Sequence, residues 1–545
     1  FFTNISSLSS VTIESKTSFS IKEGFFYGCP NLNDVKFVSD ENIEISNLCL
    51  NNSTKLQSIS IEGKNVSIGY GFFNRCQSIS SFTIIEKEKL NLDINEIKNC
   101  KNLETIRIKF DFNETQDHFF KYELESDSFS GLNKLRNISI EGVDIVLKEN
   151  CFNSSNISSI LIMNVRNAII NSKSFAYCKK LRTVTINAFN KIEISNNSFI
   201  GVESLDNCSL TFKELKIGNS ALINFSSIKL LFLYCKDNLN VYPNFFGGCK
   251  SIKNISFFTR SKIDLKENCF PVIENLESIK IDGDSIDIRE NCFKNLKTIP
   301  NLDINSNSTV YLGDKFSSRN TQKLKISSPI KVELGSSCFY NNKILESIEI
   351  NSKEIIVDNG CFSDCPLLSS AIFNSKNSVI LNVAAFSRCK NLVHVIVNAE
   401  TEIKAEKYCF NEAGLEIVEF KSKYISIGDY CFYKCSKLPS FSIEEVENIQ
   451  IGSNAFRDSE SINSITINAS SKLHVKKWCF SFLKKLESLS LIGSEVTLEE
   501  ISIRNCPKLN SPFIKATKSL DISPKAFLWH HMKFQPIIEK PPENQ

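Results

Sequence analysis

The stretch DYCFYKCSKL, Asp429–Leu438, decides the fold. Cys431 and Cys435 sit four apart around Phe432. In isolation such a pair reads as metal ligands, a redox couple or part of a disulfide framework. Its equivalents elsewhere in the chain settle the matter. A small residue or Cys, then Phe, two variable residues, Cys or an aliphatic, two more, then Leu or Ile recurs along the chain. The anchors run from Phe2, Phe26, Leu50, Phe73 and Ile97 to Phe480, Ile503 and Phe527, 23 in all. Successive anchors lie 22 to 24 residues apart, with one interval of 32 between Ile97 and Phe129. Self-similarity at one period over a whole chain marks a solenoid.

Each unit has two further parts. After the anchor comes a Leu and then an I-x-I pattern, as in LESIEI, Leu345–Ile350. Before it comes another, as in Ile425 and Ile427 ahead of Phe432. Alternation in β-branched residues predicts a short strand with one face buried. The CFYKCSKL part lacks that alternation. Its apolar residues fall at 0, +3 and +6, which predicts a turn of α- or 3₁₀-helix. The expected architecture is a leucine-rich-repeat type solenoid with short β-strands stacked in parallel sheets. It has one helical turn per 23–24-residue repeat and about 22 coils. One continuous solenoid is expected over residues 1–534, with an insertion near 109–122 and a Pro-rich tail at 535–545.

The cysteines fall into this frame. Of 20, nine directly precede an anchor, as Cys431 does, and nine follow it by three, as Cys435 does. Other repeats fill the same slots with Ala, Gly, Ser, Leu, Val or Ile, so the slot asks for a small, fairly apolar side chain, which free Cys supplies. Metal sites need converging ligands at local spacings such as CxxC, and none is present. Disulfides between coils are conceivable at the spacing of stacked strands, about 4.8 Å.

CFSDCPLLSS (361–370), AFSRCKNLVHVIV (385–397) and CFYKCSKLPSFSI (431–443) resemble the BspA-like leucine-rich repeat family, whose units carry an AF-x-x-C-x-x-L-x-x-I-x-I signature. The resemblance covers essentially the whole chain. It implies a leucine-rich-repeat solenoid. It also implies a cell-surface or secreted role in adhesion to host matrix or other cells, as is frequent among such proteins of bacteria and anaerobic protists. The Asn ladder of common leucine-rich repeats is missing here, as is the Pro often found after I-x-I.

The net charge of +3 over 545 residues gives no field that would attract nucleic acid or an anionic membrane. No apolar run of about 18 residues reads as a membrane-spanning helix. The chain opens FFTNISSLSS without an initiator Met, so its start carries no information on targeting. Only five His are present, at 118, 394, 474, 530 and 531, and no GxSxG, P-loop or HExxH occurs. The expectation is a non-enzymatic binding protein with no catalytic, cofactor-binding or metal-binding residues. The adjacent His530 and His531 point different ways on any regular element and have no third ligand nearby.

Three surface features are candidate sites. The middle residue of each post-anchor I-x-I points outward, and Thr12, Lys36, Ser60, Thr83, Arg107 and Ser139 make that row polar. Ile372 and Ile396 break the rule on adjacent coils and are candidate ligand contacts. The insertion carries Phe110, Phe112, Phe119, Phe120 and Tyr122, which either fold back over the neighbouring coil, the reading favoured here, or form an aromatic recognition knob and are then candidate ligand contacts. N-glycosylation sequons occur at Asn4, Asn51, Asn52, Asn65, Asn113, Asn137, Asn153, Asn156, Asn196, Asn207, Asn224, Asn254, Asn307 and Asn468. Composition alone yields roughly nine. Thirteen of the fourteen lie at or before Asn307, which leaves the later half less shielded and places a protein ligand near Ile372 and Ile396. The partner expected is thus a protein, possibly a host matrix or cell-surface protein. The alternative is an intracellular leucine-rich repeat scaffold in the cytoplasm, favoured by so many unpaired thiols.

Overall fold

The computed structural model describes residues 2–91, 97, 100–110, 121–142, 144–218, 221, 228–243, 245–246, 252–316, 320–528 and 536–539. The chain divides into two compact units. The first is Phe1–Asn238 with Phe245–Phe258 and Pro271–Asn275; the second is Leu239–Asn244 with Thr259–Phe270 and Leu276–Gln545. Each is a stack of coils joined by parallel strand pairing. In the first, Ser10–Ser15 pairs with Asp34–Ser39 and that with Ser58–Ile68, setting Val11 beside Val35 and Val35 beside Ile59. In the second, Ser347–Val357 pairs with Ser370–Leu381, placing Ile348 beside Ala371 and Ile350 beside Phe373.

The two I-x-I patterns of a coil often lie on one bent strand. In Ser347–Val357, Ile348, Ile350, Ile355 and Val357 are buried, and the register shifts between Ser352 and Glu354. Elsewhere the bend separates two strands, as in His394–Ala399 and Glu402–Ala405. Buried Ser residues at or next to the bend tie it to the coil before. Ser39 donates to the Thr17 carbonyl at 2.9 Å and Ser375 to the Lys353 carbonyl at 2.7 Å.

The expected helical turn is not there: every regular element among the described residues is a strand, apart from a single 3₁₀ position at Ile97. In Asp429–Leu438 the amides alternate. Tyr430, Phe432 and Lys434 donate to the Ser453, Ala455 and Arg457 carbonyls of the next coil at 3.0, 2.7 and 3.0 Å. Cys431, Tyr433 and Cys435 donate three residues back within the turn, at 3.2–3.3 Å. A helix directs all its amides along its own axis. This turn gives every second one to its neighbour, so it cannot be helical. The spacing 0, +3, +6 fits both geometries, which is why it misleads.

The alternation requires left-handed backbone two residues either side of the anchor. Tyr430 and Lys434 have φ of 55° and 56°, Ala384 and Arg388 56° and 60°, Gly360 and Asp364 60° and 61°. Gly and Asn recur at these positions because they reach that region at low cost.

The anchors build the core. In the first unit Phe129, Phe152, Phe175 and Phe199 stack at centroid separations of 4.9, 5.3 and 4.9 Å, with planes within 13°. In the second, Phe339, Phe362, Phe386, Phe410, Phe432, Phe456 and Phe480 continue at 5.0 to 5.7 Å. All are essentially fully buried. The coil repeat sets the ring spacing, since strand pairing imposes about 4.8 Å, and the rings contribute offset-stacking energy beyond burial.

At one place in the second unit the post-anchor strands do not pair. They pair in order from Ser347–Val357 to Ile417–Lys421, and again from Ser440–Ile451 to Phe513–Ile522. Between Ile417–Lys421 and Ser440–Ile451 there is no ladder, although Tyr424–Ile427 pairs with the second half of Ser440–Ile451 just beyond. Within the proposed tail, Ile537–Glu539 is an exposed strand paired with Phe513–Ile522.

If the left-handed turn positions are intrinsic to the coil, adding a Cβ at one costs stability even where space is open. Around Gly131, φ 75°, a Cβ meets nothing within 4 Å. Gly131→Ala is expected to lower unfolding free energy by about 1 kcal/mol in urea titration; an unchanged midpoint contradicts the strain.

Candidate functional site

The cysteine slots are chemically quieter than their number suggests. All 19 described cysteines are buried and outside any disulfide; Cys249 lies outside the described residues. The slot three after the anchor does more than accept a small side chain. Cys76, Cys178, Cys389 and Cys435 donate their S–H to the anchor carbonyl of the preceding coil, on Leu50, Phe152, Phe362 and Phe410, at 3.0–3.1 Å. Ser459 makes the same bond to Phe432 at 2.6 Å. Slot size alone does not reveal this donor role; its signal in the sequence is that Ser stands in for Cys at some of these positions, while others hold Leu, Val or Ala and donate nothing. Burial pushes the Cys76 thiol up to about 12 and Cys178 to about 11, so both stay protonated at neutral pH. Cys269 and Cys292, which precede successive anchors, bring their sulfurs to 3.1 Å.

No other arrangement among the described residues resembles a catalytic or metal centre. No group of three or more His, Cys, Asp or Glu converges. Among the described residues two carboxylates are buried, Glu86 and Asp264. Asp264 is met by Lys266 at 2.6 Å and Arg289 at 3.7 Å. Glu86 stands inside the coil bend, in register with Gly63 and Phe110, and accepts the Val66 amide at 2.7 Å. Burial pushes its carboxyl up to about 8, partly opposed by the Val66 bond.

The outward rows are as expected. Thr12, Lys36 and Arg107 are exposed, and Ser60, Thr83 and Ser139 are half-buried. Ile372 and Ile396 are direct register partners and half-buried. Glu349 precedes and Glu419 follows them in the same row. Ile417, 47 % exposed, stands one coil on from His394. The pair is thus a short apolar step between two acids.

The aromatic insertion is only partly in view. Phe112, Phe119 and Phe120, with His118, lie outside the described residues, as do His530 and His531. Phe110 is 4 % exposed and packs its ring 5.8 Å from Tyr122, which is half-buried. Asn113 and Asn224 also lie outside. Of the other sequons, Asn4, Asn137, Asn196, Asn207, Asn307 and Asn468 are exposed. Asn51, Asn52, Asn65, Asn153, Asn156 and Asn254 are half-buried.

With the stack, the anchor turn and its donor slots established, the sequence comparison is direct. The family model described as "BspA type Leucine rich repeat region (6 copies)" matches residues 1–125, 122–229, 225–344, 315–406 and 401–532. The chain belongs to the BspA-type leucine-rich repeat family. No curated protein matches its sequence. Among solved structures it is similar to a leucine-rich repeat protein from Bacteroides ovatus, at 17% identity and a TM-score of 0.23, covering 91% of this chain and 82% of that one. A leucine rich cell surface protein from Faecalibacterium prausnitzii is 15% identical with a TM-score of 0.18, covering 94% and 89%. The plant peptide hormone receptor RGFR1 in complex with RGF2 is 14% identical with a TM-score of 0.26, covering 95% of both.

Two outcomes check these assignments. Cys435→Ala is expected to cost about 1–2 kcal/mol in chemical unfolding, and Cys435→Ser to recover most of it, because Ser keeps the donor. Equal loss in both variants removes the donor role. Glu86 binds its proton more tightly folded than unfolded, so its contribution favours the fold least at high pH. Stability should fall as pH rises from the ordinary carboxylate range through about 8. Glu86→Gln should flatten that part of the profile of urea midpoint against pH.

Proposed function

We propose that the chain is a non-enzymatic protein-recognition solenoid, displayed at the cell surface or secreted, and acting in adhesion or protein recognition. Membership of the BspA-type family carries this reading, together with outward rows that lie outside the packed core and are tied only by surface ion pairs such as Lys36 with Glu14 at 3.0 Å. Inward positions are consumed by packing and by bonds between coils, whereas outward side chains are free to be chosen by a ligand. Many modest contacts along such a row sum to useful affinity around a few apolar anchors. Ile372 and Ile396 supply such an anchor, and Tyr122 with the aromatic insertion a second. Glycans on the sequons up to Asn307 would leave the face near Ile372 and Ile396 open. The partner is a protein, not nucleic acid or lipid, in keeping with a net charge of +3.

A second reading, an intracellular scaffold, draws on the 19 free thiols, an unusual load for an oxidising compartment. Burial of all of them reduces that objection.

Labelling intact cells of the native source with a membrane-impermeant biotin reagent separates the two. Capture of this chain is expected, with a mass decrease after endoglycosidase treatment. Labelling only after permeabilisation overturns surface display. For whichever protein ligand is then co-captured, Ile372→Glu with Ile396→Glu is expected to weaken binding about tenfold or more, with the unfolding midpoint unchanged.

A further inference from the structure

The interrupted ladder in the second unit opens a groove, and local sequence explains why. The coil from Phe410 to Phe432 spans 22 residues against 24 on either side. One residue is lost in the turn. Leu415 follows Phe410 by five, where Leu392 follows Phe386 and Leu438 follows Phe432 by six. Gly414 makes the shortened turn possible, since a Cβ there would collide with the Lys390 carbonyl. A second residue is lost at the bend, where Ile425 follows Phe420 by five and Ile449 follows Ile443 by six. The next coil is wider at the same bend, bulged at Glu445 with φ 63°.

Pro439 completes the separation. In neighbouring coils the residue at this place donates its amide to the coil before: Ser369 to Glu346 at 2.9 Å, Val393 to Ser369 at 3.0 Å, Glu416 to Val393 at 3.0 Å. Pro439 has no amide to donate, while its own carbonyl still accepts from Asn463 at 2.8 Å. The ladder therefore stops on one side of Ser440–Ile443 and resumes on the other.

The gap is a groove of about 680 Å³. Strands in a parallel sheet direct amides and carbonyls to both neighbours, so Ile417–Lys421 and Ser440–Ile443 each present an edge without ladder bonds on the groove side. The apolar foothold is Val418 and the exposed Ile417. Five carboxylates line it, Glu400, Glu416, Glu419, Glu444 and Glu445, against two lysines, Lys421 and Lys423. All five are exposed and none is in an ion pair with a Lys, Arg or His side chain, although the Ser442 hydroxyl donates to Glu444 at 3.4 Å. Outward positions alternate along both walls, which places Ile417, Glu419 and Lys421 on one and Ser440, Ser442 and Glu444 on the other.

We propose that this groove docks an extended segment of a partner protein by strand addition, with Lys or Arg alternating with Val, Ile or Thr. The main chain meets the open edge. The basic side chains on the outward face meet Glu419 and Glu444, and the β-branched ones cover Val418. This deepens the protein-recognition reading and rests on it, naming the chemistry of one partner segment and its place.

The test uses the full chain and fluorescent peptides of about six residues, a common strand length. One alternates Lys with Val or Thr, one replaces each Lys by Glu, and one keeps Lys but carries N-methyl groups on alternate amides. Saturable binding of the Lys peptide is expected by fluorescence anisotropy, about tenfold or more tighter than either control. Glu419→Gln with Glu444→Gln should weaken it to a similar degree at an unchanged unfolding midpoint. No saturable binding, equal binding of the N-methylated peptide, or indifference to both substitutions overturns the proposal. If the chain meanwhile retains its co-captured ligand from intact cells, the groove fails and the recognition reading stands.

Discussion

The regular anchor turns among the described residues share their amides between two uses. Every second amide closes the turn, and those between reach forward to the next coil, as Tyr430, Phe432 and Lys434 do. Most other features follow from this constraint. It demands left-handed backbone either side of the anchor, which explains the recurring Gly and Asn. It fixes the coil spacing, which lets Phe rings stack at about 5 Å. It leaves the preceding coil's anchor carbonyl within reach of a short donor, which selects Cys or Ser three residues on. The turn thus joins local conformation to packing between coils, and neither persists without the other.

The same economy separates structure from function. Cysteines that look reactive by count are spent on burial and, at several positions, on S–H bonds, and burial holds thiols such as Cys76 and Cys178 protonated. Serines at the bend are spent in the same way. What remains for recognition is the outward row and any place where the stack is irregular. The short coil after Phe410 is such a place. Two deletions and one proline open a sheet that the neighbouring coils keep closed, and the charged residues around the opening are mostly acids without ion-pair partners. Outward apolar residues such as Ile372 and Ile396 are a second departure, of side chain and not of backbone.

The solenoid, its period, its strands and the buried place of the cysteines were legible in the sequence. Repetition made them so: 23 anchors report the same environment, and the residues exchanged in a slot reveal its size. The polarity of the outward row followed from strand alternation. The family followed from the motif and its spacing. What the sequence determined by itself is therefore what a single coil imposes on its own residues.

What the tertiary structure decided is what depends on two coils at once. The apolar spacing around Phe432 suits a helix as well as a forward-bonding turn, and only the next coil's carbonyls choose between them. A Cys slot reads as small and apolar until the preceding anchor's carbonyl appears above it. Phe110 belongs by sequence to an insertion that could fold back or project, and the structure buries its ring beside Tyr122. Pro439 reads as one more loop proline, and becomes the cause of a groove because the amide it lacks belongs to a ladder between coils. Hydrogen bonds and close contacts between residues some 23 apart are not written in either segment alone, and the stack brings them together.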